Sequence, residues 1–419
     1  QHIYYQATME RISGDDVMEL PENLPFRDIT GTTGYTLPDF SPSVFPNSLA
    51  QSGIAIYNMG GWFDAFARDT AMWYSTLEST NQSKMIIGLN NHSLLGLATY
   101  IKTAHGPYWE YFGEDIDEVK KGFNVERLRF MDRYLKGIEN GIDEESPVYI
   151  YVMNGKGWRF ENEWPLKRQV TANIYFEEGN TLSLNRKANG SDDYIADFTH
   201  DTQEVTSKKN RYTLGAQNNA DVRTDNDKKC LTYTSAPAKK DLEITGHPIV
   251  HLWVSSTAPC ADFFVYLEDV DENGEAYYIT DGMLRANFAS LVPNEDILSP
   301  DTGIDVLPDL PWHGFNQADY VDGIFNGGNI AELVIDFQPT SWVIRKGHRI
   351  RVSIANADWP TFALHPDLSL TNDPADPNNI VPTMTVHRSN LYPSRIDLPI
   401  VPKKKLKDKD VLKWIGKHF

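Results

Sequence analysis

Two short apolar runs, each followed by turn residues and a side chain capable of acid–base chemistry, constrain the fold of this chain most strongly. The first run ends at Gly61 and leads to Asp64, and the second covers residues 85–89 and leads to His92. Short apolar runs bounded by glycine indicate buried parallel strands. In an open parallel sheet, reactive groups collect just beyond the carboxyl ends of the strands. We therefore expect Asp64 and His92 to lie side by side at one edge of a sheet.

The segment between the two runs has apolar residues at helical spacing, so it predicts a helix within residues 64–80. The order is then strand, loop with an acid, helix, strand, loop with a histidine. This is the order of the second half of an α/β-hydrolase, in which the acid and the base follow the nucleophile along the chain. A second amphipathic helix is predicted over residues 123–136, ended by Gly137.

From residue 147 onward the chain consists of many short β-rich runs separated by Gly, Pro, Asn and Asp. They cover residues 148–153, 172–176, 231–234, 249–255, 263–267, 276–280, 331–337 and 349–354. Many short strands at modest spacing predict an antiparallel sandwich or jelly roll. The predicted fold class is therefore α/β plus all-β: the C-terminal half of an α/β-hydrolase domain followed by a β jelly roll.

Changes of composition along the chain predict four segments. These are a Pro-punctuated connector at 1–50, the α/β-hydrolase part at 51–142, the jelly-roll domain at 143–402 and a C-terminal tail at 403–419. Residues 202–229 are expected to form a surface loop.

The formal net charge of −19 argues against a nucleic acid partner, because no basic stripe is present to meet phosphates. The one basic cluster, around Lys403–Lys409, alternates with Asp and is expected to be a solvated tail. No run of 18 apolar residues occurs, so we expect no membrane partner. The sequence opens at Gln1 without a visible signal peptide, which we interpret as a fragment or processed product. A soluble protein is expected, with the cytoplasmic and the periplasmic or secreted compartments both left open.

Metal and cofactor motifs are not found in the sequence. Two cysteines, Cys230 and Cys260, are expected to be free thiols, with a single bridge left open. The acidic residues between Asp269 and Glu275 lack the full spacing of a calcium loop and indicate a hairpin turn at Asn273. Five histidines are scattered without metal spacing: His105, His247, His251, His348 and His365. No dinucleotide fingerprint and no phosphate-binding loop occurs. We therefore predict no metal and no cofactor.

Two motifs carry a specific resemblance to a known family. "GGWFD" at 60–64 and "MIIGLNNHS" at 85–93 resemble the "GGWYD" and "GPWxHS" motifs of the cocaine-esterase-like (CocE/NonD) serine hydrolases. That family includes α-amino acid ester hydrolases and glutaryl acylases and is related to the X-Pro dipeptidyl-peptidases. The segments "VMNGKGWRFENEWP" at 152–165 and "IRKGHRIRVSIANADWPTFALHP" at 344–366 resemble the C-terminal non-catalytic domain of the same relatives.

The resemblance implies roles for individual residues. Asp64 would orient His92, and His92 would be the general base for a serine. Asn90 stands where the family commonly has a Trp. Trp62 and Phe63 flank the acid, either as walls of an acyl pocket that binds substrate or as core packing. The resemblance also implies that residues 1–50 are the tail of a helical cap and that the jelly roll is galactose-binding-like.

The nucleophile expected at a tight strand-to-helix turn is not found, because no G-x-S-x-G and no S-x-x-K occurs in the sequence. Ser93 directly follows the base and cannot reach its own neighbour's imidazole. In the family the nucleophile lies upstream of the cap, so we expect this chain to supply the Asp and His of a triad. The missing N-terminal hydrolase half would be its partner, and the chain alone would be inactive.

The predicted function is hydrolysis of an ester or amide bond in a small molecule or peptide through an acyl-enzyme. Two alternatives are kept. One is an X-Pro dipeptidyl-peptidase that uses the same machinery, and the other is a non-catalytic jelly-roll protein that binds carbohydrate. Assembly into a homo-oligomer is left open.

Overall fold

The structure is a computed structural model that describes residues 25–30, 34, 36, 38–42, 45–90, 92, 116–187, 189–200, 211, 222–293 and 304–419. Side chains of residues 40, 116–123 and 408 are not part of that description. Several of the predictions concern residues outside the described part of the chain: Ser93, His105, most of the connector at 1–50 and most of the loop at 202–229.

The first sheet has four strands in the order β1-β2-β3-β4. Its strands are β1 (Ile56–Gly61), β2 (Ser83–Gly88), β3 (Val148–Val152) and β4 (Gly157–Glu161). The first three are parallel, and β4 returns antiparallel to β3. The sequence predicts this for β1 and β2, but it places the run at 148–153 among the antiparallel strands, whereas β3 pairs parallel with β2. The hydrogen bonding of this sheet continues across the predicted boundary at residues 142/143.

Three helices accompany the first sheet. They are α1 (Pro46–Ser52), α2 (Ala67–Leu77) and α3 (Ile116–Lys136). Helix α2 connects β1 to β2 as predicted and buries Ala71, Tyr74 and Leu77 against them. Helix α3 begins seven residues before the predicted start and ends at Gly137, whose φ of 69° is the left-handed conformation that glycine adopts most easily.

The second sheet contains thirteen strands, and every pairing among the described residues is antiparallel except that of β6 with β8. Eight strands form its first part: β5 (Val170–Glu177), β6 (Thr181–Ser183), β7 (Ser191–Ile195), β8 (Leu231–Ser235), β9 (Leu242–Gly246), β10 (Ile249–Ser256), β11 (Asp262–Val270) and β12 (Ala276–Arg285). Five complete it: β13 (Ala331–Asp336), β14 (Thr340–Ile344), β15 (Arg349–Ala355), β16 (Thr383–His387) and β17 (Arg395–Ile400).

The long path of this sheet runs β12-β11-β15-β8-β6-β5-β17-β10-β16-β7, with β13 added on β10, and with β9 joining β17 to β14. The β11–β12 pair turns at Asn273-Gly274, so the predicted hairpin is confirmed. Short 3₁₀ turns lie at Pro38–Phe40, Asn226–Lys229, Ala286–Phe288, Gln317–Asp319 and Asn326–Gly328. The described part of the chain is thus predominantly β-sheet with few helices.

The two sheets share one continuous core. Met153 bridges to Trp342 of β14, with its N–H donating 2.8 Å to the Ser341 carbonyl. On the other side, the Arg68 Nε of α2 lies 2.6 Å from Oδ2 of Asp336 on β13. Strands of the second sheet therefore contact the residue after β3 and the first turn of α2.

The C-terminal segment corrects the expectation of a solvated tail. Lys403, Lys404 and Lys405 are exposed, but the chain then forms α4 (Asp408–Ile415). Ile415 is fully buried in the core, because this short amphipathic helix turns its apolar face toward the sheet. In the described part of the chain, no helix combines the length and apolar character that a bilayer crossing requires.

Candidate active site

The carboxyl ends of β1 and β2 lie next to each other. Gly61 stands opposite Gly88 in the parallel register, and the Trp62 N–H donates 2.8 Å to the Gly88 carbonyl just past the strand ends. The loop after β1 carries Asp64, and the loop after β2 carries His92. The strand pairing therefore brings these two loops to the same edge of the sheet, as the sequence predicts.

Asp64 is fixed by hydrogen bonds at the entrance to α2. Its N–H donates 3.0 Å to the Gly61 carbonyl, and its own carbonyl accepts from the Ala67 N–H at 3.2 Å. Its Oδ1 accepts from the Phe66 N–H at 3.1 Å. The residue is buried, so these hydrogen bonds hold the carboxylate in one orientation independently of His92.

His92 meets this carboxylate. Its Nδ1 lies 3.3 Å from both Oδ1 and Oδ2 of Asp64. The Phe66 ring packs beside the imidazole, with ring centroids 5.5 Å apart. The His92 side chain is 45% exposed, whereas that of Asp64 is 12% exposed, so the imidazole lies between a buried carboxylate and open space.

The two ring nitrogens of His92 are therefore in different surroundings. A carboxylate at Nδ1 favours the tautomer that carries its proton there, which leaves a lone pair on Nε2. Within the described residues, Nε2 has no hydrogen-bond partner. The arrangement can hold an imidazole in one tautomer, accept a proton at Nε2 and stabilise the resulting imidazolium. The contact of 3.3 Å is long for a hydrogen bond.

Trp62 and Phe63 point away from the open side of the site. Both are about 1% exposed. Trp62 donates from Nε1 to the Tyr151 carbonyl at 2.7 Å, and Phe63 packs near Tyr278 of β12 with ring centroids 6.2 Å apart. These are the positions of packing residues, and a role for them in substrate binding stays a prediction.

The second sheet also contributes residues next to the site, which sequence reasoning missed. Gln338 accepts from the Arg68 N–H at 3.0 Å through Oε1 and approaches the Ala65 carbonyl with Nε2 at 3.4 Å. The Arg68 guanidinium also stacks on Trp312, 4.2 Å from the ring centroid. Because these residues lie about 240–270 positions further along the chain, no local pattern could have indicated them.

Among the described residues, one group of three could hold a metal ion: Cys260, His365 and Asp367. It lies in connections between strands of the second sheet and shares no residue with the Asp64–His92 pair. Both cysteines of the chain are free thiols, so the bridge left open by the sequence is not formed.

A family model for the X-Pro dipeptidyl-peptidase C-terminal non-catalytic domain matches residues 140–397, which is more than half of the chain. The match begins near the end of the α/β part and runs to β17.

Individual proteins extend this likeness to the α/β part. The chain is 33% identical over 363 residues to a Mycobacterium bovis protein named as a serine esterase, covering 86% of this chain and 52% of the relative. It is 23% identical over 353 residues to the cocaine esterase of Rhodococcus sp., covering 81% and 55%. It therefore spans about half the length of the curated relatives it matches.

A solved structure agrees in fold. A CocE/NonD family hydrolase from Staphylococcus aureus aligns with a TM-score of 0.61 at 13% identity, covering 92% of this chain and 60% of that chain. At this level of identity the likeness concerns the fold alone.

Proposed function

This chain belongs to the CocE/NonD-like relatives of the X-Pro dipeptidyl-peptidases, whose C-terminal non-catalytic domain it contains, and on that premise we propose that it forms part of a serine acyl hydrolase. The proposal rests on the Asp64–His92 pair: a buried carboxylate 3.3 Å from Nδ1 of an exposed imidazole, at the carboxyl edge of a parallel sheet.

In the proposed reaction, a serine hydroxyl attacks the carbonyl carbon of an ester or amide while Nε2 of His92 takes the hydroxyl proton. The imidazolium, stabilised by Asp64, gives that proton to the leaving group as the acyl–leaving-group bond breaks. Water then attacks the acyl-serine, His92 takes the water proton, and the acid is released as the proton returns to the serine. Each step uses the same two groups of this chain, the imidazole of His92 through Nε2 and the carboxylate of Asp64.

We propose that the serine comes from a hydrolase half outside these 419 residues. The absence of a G-x-S-x-G motif from the sequence and the double length of the curated relatives both support this. A free strand edge supports it as well, because β1 is an edge strand among the described residues. A parallel strand of a partner half could pair there through the unused N–H and C=O groups.

The surface beside that edge is apolar. A groove of about 440 Å³ runs along β1, with Ile54, Met59, Trp73 and Phe130 among its lining residues. Helix α3 adds an exposed apolar stripe at helical spacing, formed by Val125, Leu128, Met131 and Leu135, which are 48–77% exposed. An apolar stripe on an amphipathic helix normally covers a sheet, so the serine-bearing half is its proposed occupant.

The finer fold assignment belongs to the same proposal. Strands β1–β3 with α2 and α3 would be the C-terminal part of an α/β-hydrolase domain, and β5–β17 a galactose-binding-like jelly roll. Contacts of Arg68 with Asp336 and Trp312 support a jelly roll that packs on the loop carrying the catalytic acid.

The test is ester hydrolysis by the complete protein, that is, this chain with its serine-bearing half. With a p-nitrophenyl ester, we expect His92→Ala and Asp64→Asn each to lower kcat by about 10³–10⁴-fold. The control is His251→Gln, a histidine that lies between Glu332 and Asp397 on the second sheet, and it should keep wild-type kcat. Wild-type kcat in His92→Ala would refute the assigned role.

The name of the matching domain favours an X-Pro dipeptidyl-peptidase as the second candidate. The discriminating measurement compares an X-Pro p-nitroanilide with the p-nitrophenyl ester in the same preparation. An ester preference supports the esterase assignment, which the names of the curated relatives favour. Cleavage of the X-Pro anilide with a higher kcat/KM would favour the peptidase.

A further inference from the structure

Three side chains capable of binding a metal ion meet in connections between strands of the second sheet, far from the Asp64–His92 pair in the sequence. Cys260 lies in the loop between β10 and β11, and His365 and Asp367 lie in the connection between β15 and β16. Sγ of Cys260 is 3.6 Å from Nδ1 of His365 and 3.8 Å from Oδ2 of Asp367. The third side of the triangle, from Nδ1 to Oδ2, is 3.9 Å.

These spacings fit the bond lengths of zinc. In the plane of the three donor atoms, the point equidistant from them lies about 2.2 Å from each. Zinc bonds are about 2.3 Å to thiolate sulfur, about 2.0–2.1 Å to imidazole nitrogen and about 2.0–2.2 Å to carboxylate oxygen. An ion with a fourth ligand lies outside the plane of these three donors, so the donors must move together by a few tenths of an ångström to bind it.

A second, independent observation concerns the orientation of the His365 ring. Asn287 donates from Nδ2 to the Val321 carbonyl at 3.0 Å, which turns its Oδ1 toward Nε2 of His365 at 3.1 Å. Because Oδ1 can only accept, Nε2 carries the ring proton and Nδ1 presents a lone pair to the Cys260 sulfur. Metal-binding histidines are held in their tautomer by this kind of outer hydrogen bond. The Asp367 N–H also points at Nδ1, at 3.2 Å, and an ion would take its place.

The charges also balance. A thiolate and a carboxylate together neutralise a divalent ion, and the imidazole adds no charge. The other carboxylate nearby, Asp262, is already paired with Arg285 at 2.8 Å. The Asp367 side chain is 54% exposed, so an ion can enter from that side and keep a water as its fourth ligand.

A cysteine nucleophile is the competing interpretation of a Cys–His–Asn arrangement. Cys260 is only 1% exposed, so a substrate could not reach its sulfur. The arrangement of these side chains therefore fits a metal-binding site better than a cysteine nucleophile.

We propose that Cys260, His365 and Asp367 form a binding site for a single zinc ion, with water as the fourth ligand. Thiolate and imidazole donors select zinc over magnesium and calcium, which prefer oxygen. The bound ion would tie the β10–β11 loop to the β15–β16 connection. Spacing rules could not find this site, because 105 positions separate Cys260 from His365.

The test measures zinc content and cobalt spectra of the tag-free complete protein, that is, this chain with its serine-bearing half, after chelation and reloading. Wild type should hold one zinc per chain, and its cobalt form should show a thiolate-to-cobalt charge-transfer band. Cys260→Ser should lose the band and at least 100-fold in zinc affinity. The matched control is Cys230→Ser, which removes the other free cysteine and should retain both.

Loss of zinc binding in Cys260→Ser could also result from misfolding, so Asp367→Asn is a second variant. Its side chain is exposed, and the substitution leaves the backbone contacts of this residue in place. It should fold as wild type and bind zinc at least tenfold more weakly. Zinc should also raise the melting temperature of wild type and of Cys230→Ser, but not of Cys260→Ser. Failure of folded wild type to take up zinc would overturn the proposal, and so would equal binding by wild type and Cys260→Ser, which marks adventitious binding.

Discussion

The carbonyl oxygen of Asn90 occupies the space where a side chain at Gly61 would stand. A Cβ placed on Gly61 would lie 1.9 Å from that oxygen and 2.6 Å from the carbonyl carbon. The same oxygen accepts from the Phe63 N–H at 3.3 Å. The loop that carries the acid and the loop that carries the histidine are therefore in direct backbone contact, two residues before His92.

Replacement of Gly61 by Ala should therefore separate the two loops. The contact is with backbone, which cannot rotate aside as a side chain could, so we expect a loss of about 1–3 kcal/mol in the free energy of unfolding. The measurement is urea unfolding of the chain. In the complete protein, kcat should fall as well, because the carboxylate of Asp64 and the imidazole of His92 would move apart.

Gly416→Ala is the matched control. At this position, φ is −62° and the nearest atom to a new Cβ is 3.4 Å away, so the free energy of unfolding should stay within about 0.5 kcal/mol of wild type. Equal stability of Gly61→Ala and Gly416→Ala would contradict the close approach of the two loops.

The contact of Arg68 with Asp336 should contribute measurably to the docking of α2 on the second sheet. The two side chains are 20% and 14% exposed, and the guanidinium also stacks on Trp312. A double-mutant cycle of Arg68→Met and Asp336→Asn should give a coupling energy of about 1–2 kcal/mol in urea unfolding.

The same cycle on Lys136 and Asp132 provides the comparison. That pair lies on the surface of α3, with the lysine side chain 62% exposed, and should couple by less than about 0.5 kcal/mol. If the two cycles gave the same coupling energy, the Arg68 contact would be no more than a surface ion pair.

Local patterns in the sequence were enough to predict the arrangement around Asp64. Glycine-bounded apolar runs gave β1 and β2, and helical spacing gave α2 between them. Because parallel strands end at one edge, the proximity of Asp64 and His92 followed from the order of elements. The two family motifs then suggested which side chain would act as acid and which as base.

Long-range pairing was not predictable in the same way. The run at 148–153 has the composition of a strand, but nothing in it shows that its partner is β2 of the first sheet. The burial of Ile415 and the meeting of Cys260 with His365 likewise depend on distant elements. A sequence pattern indicates which face of an element is apolar, but it does not identify the surface that covers this face.

Two buried histidines should make the fold sensitive to acid. Burial, and then the nearby Arg223, lower the pKa of His200 to about 3, and burial and then Arg68 lower that of His247 to about 3. Both stay neutral in the folded chain, whereas in the unfolded chain they take up a proton below about pH 6.5. Stability is therefore complete above that pH and is lost as the pH falls from about 6.5 toward 3.

Each histidine should cost about 2 kcal/mol of stability between pH 8 and pH 5. Urea unfolding at the two pH values tests this. His247→Gln and His200→Gln should each reduce the loss by about that amount, and the effects should add because the two side chains share no partner. Variants with the same pH dependence as wild type would show that these histidines are not the acid-sensitive groups.

The most direct test of the central claim is labelling of the complete protein with a fluorophosphonate, followed by mass spectrometry of the labelled peptide. The label reacts only with a serine activated by a base. We predict one modified serine, outside these 419 residues, and loss of the modification in His92→Ala but not in His251→Gln. A label on a residue of this chain, or undiminished labelling in His92→Ala, would contradict the assignment of Asp64 and His92 as the acid and base of a serine hydrolase.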